Sequence, residues 1–167
     1  LEALEAARAT FVDDYGYQEP YGVGNGWKLP IFVGNSGSGM PTIGWSGGYT
    51  TVCTDHAGAY IVLSQSLDSW EFNADVGPHE LFHAVQFGYG NWLDDWWWEA
   101  TATWSEDLTY PDINGFVWFL DAYTSEPHIS VETANGSREY GMFIFPTYIH
   151  EFESDGAEAL RSVWADA

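Results

Sequence analysis

Apolar residues fall at helical spacing from the first position. Leu1, Leu4, Ala7 or Arg8 and Phe11 recur every three or four residues among strong helix formers, which predicts a helix over 1–14. The pattern then breaks into turn-forming residues, and Trp27-Lys28-Leu29-Pro30-Ile31-Phe32-Val33 reads as a strand. Pro30 has no N–H for a ladder, so this strand belongs at a sheet edge or a bulge. Residues 34–48 are rich in Gly and Ser and lack the Gly-Lys-Ser/Thr ending of a phosphate cradle, so they read as a flexible loop. Two β-branched and aromatic runs follow, 49–54 and 59–64, and Asp55-His56-Ala57-Gly58 between them suits a hairpin turn.

From Pro78 the period changes to that of helices. Pro78 suits a first helical position, and Gly88 and Gly90 suit an end, which predicts a helix over 78–90. Asp94-Asp95 can cap and complement a second helix running to Asp107, with Pro111 just beyond it. A third helical piece is expected over 113–123. A fourth spans 140–152, where Pro146 must kink it or mark a restart, and a short terminal one spans 157–165. Short strands followed by helices define an α+β fold class. The 167 residues read as one domain, with an upper β-containing part over about 15–90 and a lower helical part over about 91–167.

Composition narrows the partners. A 46% hydrophobic fraction with ten each of Trp, Tyr and Phe supports a substantial core. Against 25 Asp plus Glu stand only four Lys plus Arg, for a net charge of -21, which repels nucleic acid and anionic lipid. Self-repulsion of that size is tolerated where salt screens it, so a halophilic source is expected; the alternative is an ordinary acidic secreted enzyme with calcium at some Asp pairs. The single cysteine, Cys53, has no internal disulfide partner and reads as a buried strand residue. No run of 18 apolar residues exists to span a membrane. Beginning Leu1-Glu2 without a signal pattern, the chain reads as a mature or excised fragment.

The chemistry concentrates in Pro78-His79-Glu80-Leu81-Phe82-His83. On a helix of about 3.6 residues per turn His79 and His83 stand one turn apart, about 6 Å along the axis, and project from nearly one face, where two imidazoles can hold one zinc ion. Glu80 lies about 100° round from His79 and about 60° from His83, so it flanks the metal, placed to take a proton from an activated water. This is the His-Glu-x-x-His pattern of zinc peptidases. A catalytic zinc needs a third protein ligand. The metzincin continuation is absent, because Gln86 and Tyr89 occupy its Gly and His positions. The following helix offers Glu99 after one turn of chain, with Thr103 and Glu106 on the same face as candidates for contacts to the ligands.

With these residues the sequence resembles the gluzincin clan. His79-Glu80-x-x-His83 followed by Trp98-Glu99-Ala100-Thr101-Ala102 is similar to the paired segments of aminopeptidase N relatives. It is closer still to a family of secreted bacterial and archaeal metalloproteases with His-Glu-x-x-His followed by Trp-x-Glu-Ala-Thr-Ala-Thr-Trp. The resemblance covers residues 15–153, most specifically 78–107. It implies a zincin-like fold, with a small twisted sheet from residues 27–65 over an active-site helix and a mostly helical lower part. It also implies a secreted or cell-surface location, a peptide or protein substrate, His79, His83 and Glu99 as zinc ligands, and Glu80 as general base and acid. Two departures stand out: a shorter interval from His83 to Glu99 than in thermolysin, and Thr103 where an Asp is expected. Glu106 or Asp107 remains the alternative third ligand.

The same resemblance assigns Tyr140, at the start of a Tyr-Gly helix, as donor to a developing oxyanion, which a phenol can serve without competing for the metal. The alternative is a core tyrosine, with His128 taking the donor role. His56 and His150 read as a turn residue and a surface helix residue. The tryptophans Trp92, Trp96 to Trp98 and Trp104 read mainly as core, with Trp96 a candidate wall of the metal cleft. The expectation is metal-assisted peptide hydrolysis. Two other classes fit the same residues: a non-catalytic module using its tryptophans to bind sugar or protein, its metal structural or absent, and a zinc hydrolase of non-peptide substrates.

Overall fold

The computed structural model describes residues 1–20, 22–23, 26–52, 58–67, 69–90 and 94–166. Cys53, His56, Trp92 and most of the expected hairpin turn lie outside the described residues. The chain opens with helix α1 (Glu2–Arg8), continued by a π-helical turn over Ala9–Asp14. Leu4, Ala7 and Phe11 are buried as their spacing requires, while Leu1 is exposed. Three strands follow: β1 (Ile31–Gly34), β2 (Gly48–Val52) and β3 (Ala59–Ser64), in the order β1-β3-β2. β1 runs parallel to β3, with Ile31 opposite Ile61, and β2 runs antiparallel to it, with Val52 opposite Ala59. Pro30 falls just before the edge strand β1, as an imide without an N–H must, and its carbonyl accepts from the Ile61 N–H at 3.0 Å.

The metal-motif helix begins earlier than its sequence indicates. α2 spans Trp70–Tyr89, with Ser69 at its N-cap accepting from the Phe72 N–H at 3.2 Å and with Pro78 in its interior. Proline's φ is already helical, so what the ring removes is one donor and some room. Burial offsets that cost: Ala74 and every residue from Gly77 to Gln86 are buried. Gly77 is the contact with α1, where an added Cβ would lie 3.2 Å from that of Ala3.

α3 (Asp95–Thr109) returns antiparallel along α2: Pro78 meets Ser105, His79 meets Glu106 and Gln86 meets Thr101. Asp94 stands at its N-cap without a side-chain capping bond. A 3-10 turn (Gly115–Phe119) leads into α4 (Leu120–Thr124). The helix expected over 140–152, with Pro146 as its kink or restart, is two, α5 (Arg138–Gly141) and α6 (Ile144–Phe152), and α7 (Gly156–Ala165) ends the fold. The break falls before Pro146, which then sits in the first turn of α6, where backbone N–H groups have no helical partner to lose. Phe11, Tyr17, Phe82 and Trp104 interlock edge to face in the core beneath α2, and β2 and β3 pack on α2 from the sheet side. The fold class is α+β.

Candidate metal centre

His79 and His83 leave adjacent turns of α2 and turn their Nε2 atoms toward each other, 3.1 Å apart. Glu99 on α3 brings Oε2 to 3.1 Å from the first and 3.3 Å from the second. Three acceptor atoms on a common centre at bonds of about 2.0–2.1 Å and tetrahedral angles would stand about 3.3–3.4 Å apart, close to what these side chains already adopt. The group can hold a metal ion.

The other ring nitrogens explain why those lone pairs converge. The Gln86 amide donates to the Trp98 carbonyl and to Thr101 Oγ1, each at 2.9 Å, and the Thr101 hydroxyl donates to the Trp97 carbonyl at 2.8 Å. With its NH2 end committed, Gln86 turns Oε1 to His83 Nδ1 at 2.6 Å, so that nitrogen carries the proton and Nε2 is the bare one. Glu106 Oε1 does the same for His79 Nδ1 at 2.7 Å. A proton between the two imidazoles and Glu99 satisfies one contact at a time, whereas a cation satisfies all three.

Charge follows this arrangement. Burial opposes protonation of His79, but hydrogen bonds and charge from Glu106 and Glu99 outweigh it and raise its pKa well above the usual value. Glu106 is raised by burial against the pull of His79, so the pair keeps its shared proton to higher pH than either group alone. Burial would raise Glu99 too, yet the two imidazoles hold it well below the ordinary carboxylate range.

Glu80 stands apart from the ligand group. Its Oε2 accepts from the Thr50 hydroxyl at 2.7 Å, and strand β2 presses on it so closely that a Cβ at Gly48 would meet its Cγ at 2.7 Å. Tyr140 stacks on His79 at 5.8 Å between ring centroids and on Phe119 at 4.8 Å. Burial, then the carboxylates of Glu99, Glu139, Glu80 and Glu106, push its phenol up, so it stays a donor. Two cavities meet here, sharing Trp45, Gly48, His79, Glu80 and Tyr140. One, of about 280 Å³, holds the ligand group; the other, of about 480 Å³, runs past Asp75 and Glu106 to Trp118.

The structure brings His79, Glu80, His83, Glu99 and Tyr140 together and leaves His128 exposed, outside both cavities. Glu106 touches His79, as its place on the Glu99 face implies, whereas the Thr103 hydroxyl is buried with no partner among the described residues. Trp98, not Trp96, walls the centre: it stacks flat on His83 at 5.7 Å, while Trp96 turns away to Trp97 and Phe145. His150 is half-buried, not a surface residue, packed edge-on against Trp104 and Tyr15.

Sequence reasoning missed Gln86, Thr50 and Asp75. Gln86 carries a signal, lying three positions after His83 and so on its face. Asp75 is likewise one turn before His79, hidden only by starting the helix at Pro78. Thr50 carries none, since only the packing of sheet on helix brings it to Glu80. Comparison of the chain with protein-family models, with curated proteins and with solved structures finds no match.

Proposed function

We propose that the chain is a zincin-like, gluzincin-type zinc peptidase, secreted or cell-surface, acting on peptide or protein substrates. One observation carries the reading: the motif carboxylate Glu80 lies outside the His79, His83 and Glu99 convergence and is held beside it by an unrelated element, strand β2. A purely structural metal site has no use for such a group. Zinc held by His79, His83 and Glu99 would supply a Lewis acid that acidifies water and polarises a carbonyl. Thr50 occupies Glu80 Oε2, which leaves Oε1 to receive the proton and return it to the leaving amine. The Tyr140 phenol donates to the oxyanion as charge develops there. Glu106 and Gln86 keep both imidazoles facing inward.

A peptide is favoured over other acyl substrates by β2. Among the described residues the sheet order leaves β2 an edge strand, and its residues Gly48, Tyr49 and Thr50 line the cavity of the ligand group, where backbone groups facing away from β3 can align an extended chain.

The test is metal-depleted protein reloaded with zinc and assayed on a fluorogenic peptide with and without chelator. One zinc per chain and chelator-sensitive hydrolysis are expected. Glu80→Gln should keep the zinc and lose hydrolysis by about a hundred- to ten-thousandfold. Protein that takes up zinc without cleaving peptide points instead to a binding module, and undiminished turnover by Glu80→Gln removes the mechanism.

A further inference from the structure

The larger cavity departs from the metal centre along α2, one turn back from His79, and its lining has a distinct chemistry. Three carboxylates, Asp75, Glu80 and Glu106, face a space walled by Phe72, Trp118 and Phe119, and among the described residues no Lys or Arg lines it. Two of the three are engaged, Glu80 by Thr50 and Glu106 by His79. Asp75 is not: its Oδ1 is buried without a hydrogen-bond partner among the described residues. Its position is built, since Gly115 of the 3-10 turn lies against the carboxylate so tightly that a Cβ there would fall 2.0 Å from Oδ2. A buried, unpartnered carboxylate oxygen costs free energy that a donor entering the cavity would recover. Aromatic faces beside it favour a donor that is a cation on an apolar stem.

We propose that this cavity is a subsite for a lysine or arginine side chain adjacent to the scissile bond, with Asp75 as its specificity-determining residue. The assignment rests on the peptidase reading above. The shared His79, Glu80 and Tyr140 edge of the two cavities sets the geometry: a peptide whose carbonyl reaches the metal centre projects a neighbouring side chain past His79 toward Asp75. Its aliphatic stem lies along Phe72 and Phe119, and its cationic end meets Asp75, the carboxylate of the three without a partner among the described residues. Hydrolysis itself is unchanged by the proposal; only the choice of substrate is.

The test uses two pentapeptides that differ in charge but hardly in shape, acetyl-Ala-Ala-Lys-Ala-Ala-amide and the same peptide with norleucine for lysine. Their dissociation constants are measured by calorimetry on zinc-loaded Glu80→Gln protein at pH 8, where the Asp75 carboxylate is ionised, and their cleavage is measured on the parent at the same pH and ionic strength. The lysine peptide is expected to bind about ten- to a hundredfold more tightly, the range of a hydrogen bond to a charged group. The same preference should appear in kcat/KM, chiefly through KM. Asp75→Asn on the same background should collapse the ratio through loss of lysine binding, with thermal melting reporting that the variant is folded. Equal binding of the two peptides, or a preference that survives Asp75→Asn, overturns the subsite. If both peptides are cleaved without preference, the subsite falls and the peptidase reading stands. If lysine is preferred in binding and Asp75→Asn abolishes it but nothing is cleaved, the cationic pocket stands and the peptidase reading falls.

Discussion

Replacing Gln86 by leucine removes one side chain outside the His79, His83 and Glu99 group and should nonetheless weaken metal binding there. Gln86 is fully buried, and its amide accepts from His83 Nδ1 at 2.6 Å while donating to the Trp98 carbonyl and to Thr101. Leucine fills similar space but offers no acceptor, so the His83 imidazole loses what commits its proton to Nδ1. Either the proton stays there unpaired in a buried site, at about 1–3 kcal/mol, or it moves to Nε2 and closes the nitrogen that should face the metal. Both routes subtract from metal affinity; partners of this kind are worth roughly ten- to a hundredfold, or about 1.4–2.7 kcal/mol. Competition titration of zinc against a chromogenic chelator measures it directly, with thermal melting of the metal-free protein separating lost affinity from lost folding. Gln86→Glu supplies the contrast, since it keeps the acceptor while losing the donors to Trp98 and Thr101, and should retain more affinity than leucine does. Leucine binding zinc as tightly as the parent would refute the tautomer argument and with it the assigned inward lone pair of His83.

Three further outcomes are expected. Tyr140→Phe removes the phenol but keeps the ring stack on His79, so turnover should fall by about a hundred- to a thousandfold with affinity nearly intact, and unchanged turnover would return Tyr140 to the core. The net charge of -21 is opposed by few cations, and one of them, Arg138, is buried and spent on the backbone carbonyls of Ser130, Ala122 and Glu126. Melting temperature should therefore rise from low salt to about 1 M, where the screening length falls to about 3 Å, and a flat profile would favour bound calcium over a halophilic source. Burial, with Glu106 adding and His79 opposing, pushes Asp75 from its ordinary 3.8 to about 7, so its contribution to stability is full below about pH 4 and lost as pH climbs through about 7. Asp75→Asn should thus match the parent near pH 4.5 and exceed it at pH 8 by about 1–2 kcal/mol, after discounting for partial exposure, and an equal difference at both pH values would contradict the shift.

Most of what the chain revealed without a structure is local. Helical spacing alone puts His79 and His83 on one face with Glu80 to the side, and carries Glu99 and Glu106 along one stripe of the returning helix, because a helix converts sequence separation directly into angle and rise. The same locality explains the edge position of β1 beside Pro30. It also misleads where a local signal is overruled: Pro78 reads as a helix start, yet the Ser69 cap on the Phe72 N–H and the burial of Ala74 and of Gly77 to Gln86 carry the helix back to Trp70 and bring Asp75 one turn from His79. Similarly, Trp96 and Trp98 are indistinguishable as apolar letters, and only the side from which α3 meets α2 and α6 decides that Trp98 covers His83 while Trp96 faces Phe145. The contacts that give Glu80 its place, Thr50 from one side and the bare backbone of Gly48 against it, join residues about thirty positions apart across a sheet-on-helix interface. No periodicity encodes such a pair, since it follows from how strand and helix pack once the chain between them has closed. The ligand spacing is therefore a property of the sequence, whereas the direction of each proton around it, and the unpaired carboxylate beyond it, belong to the tertiary structure.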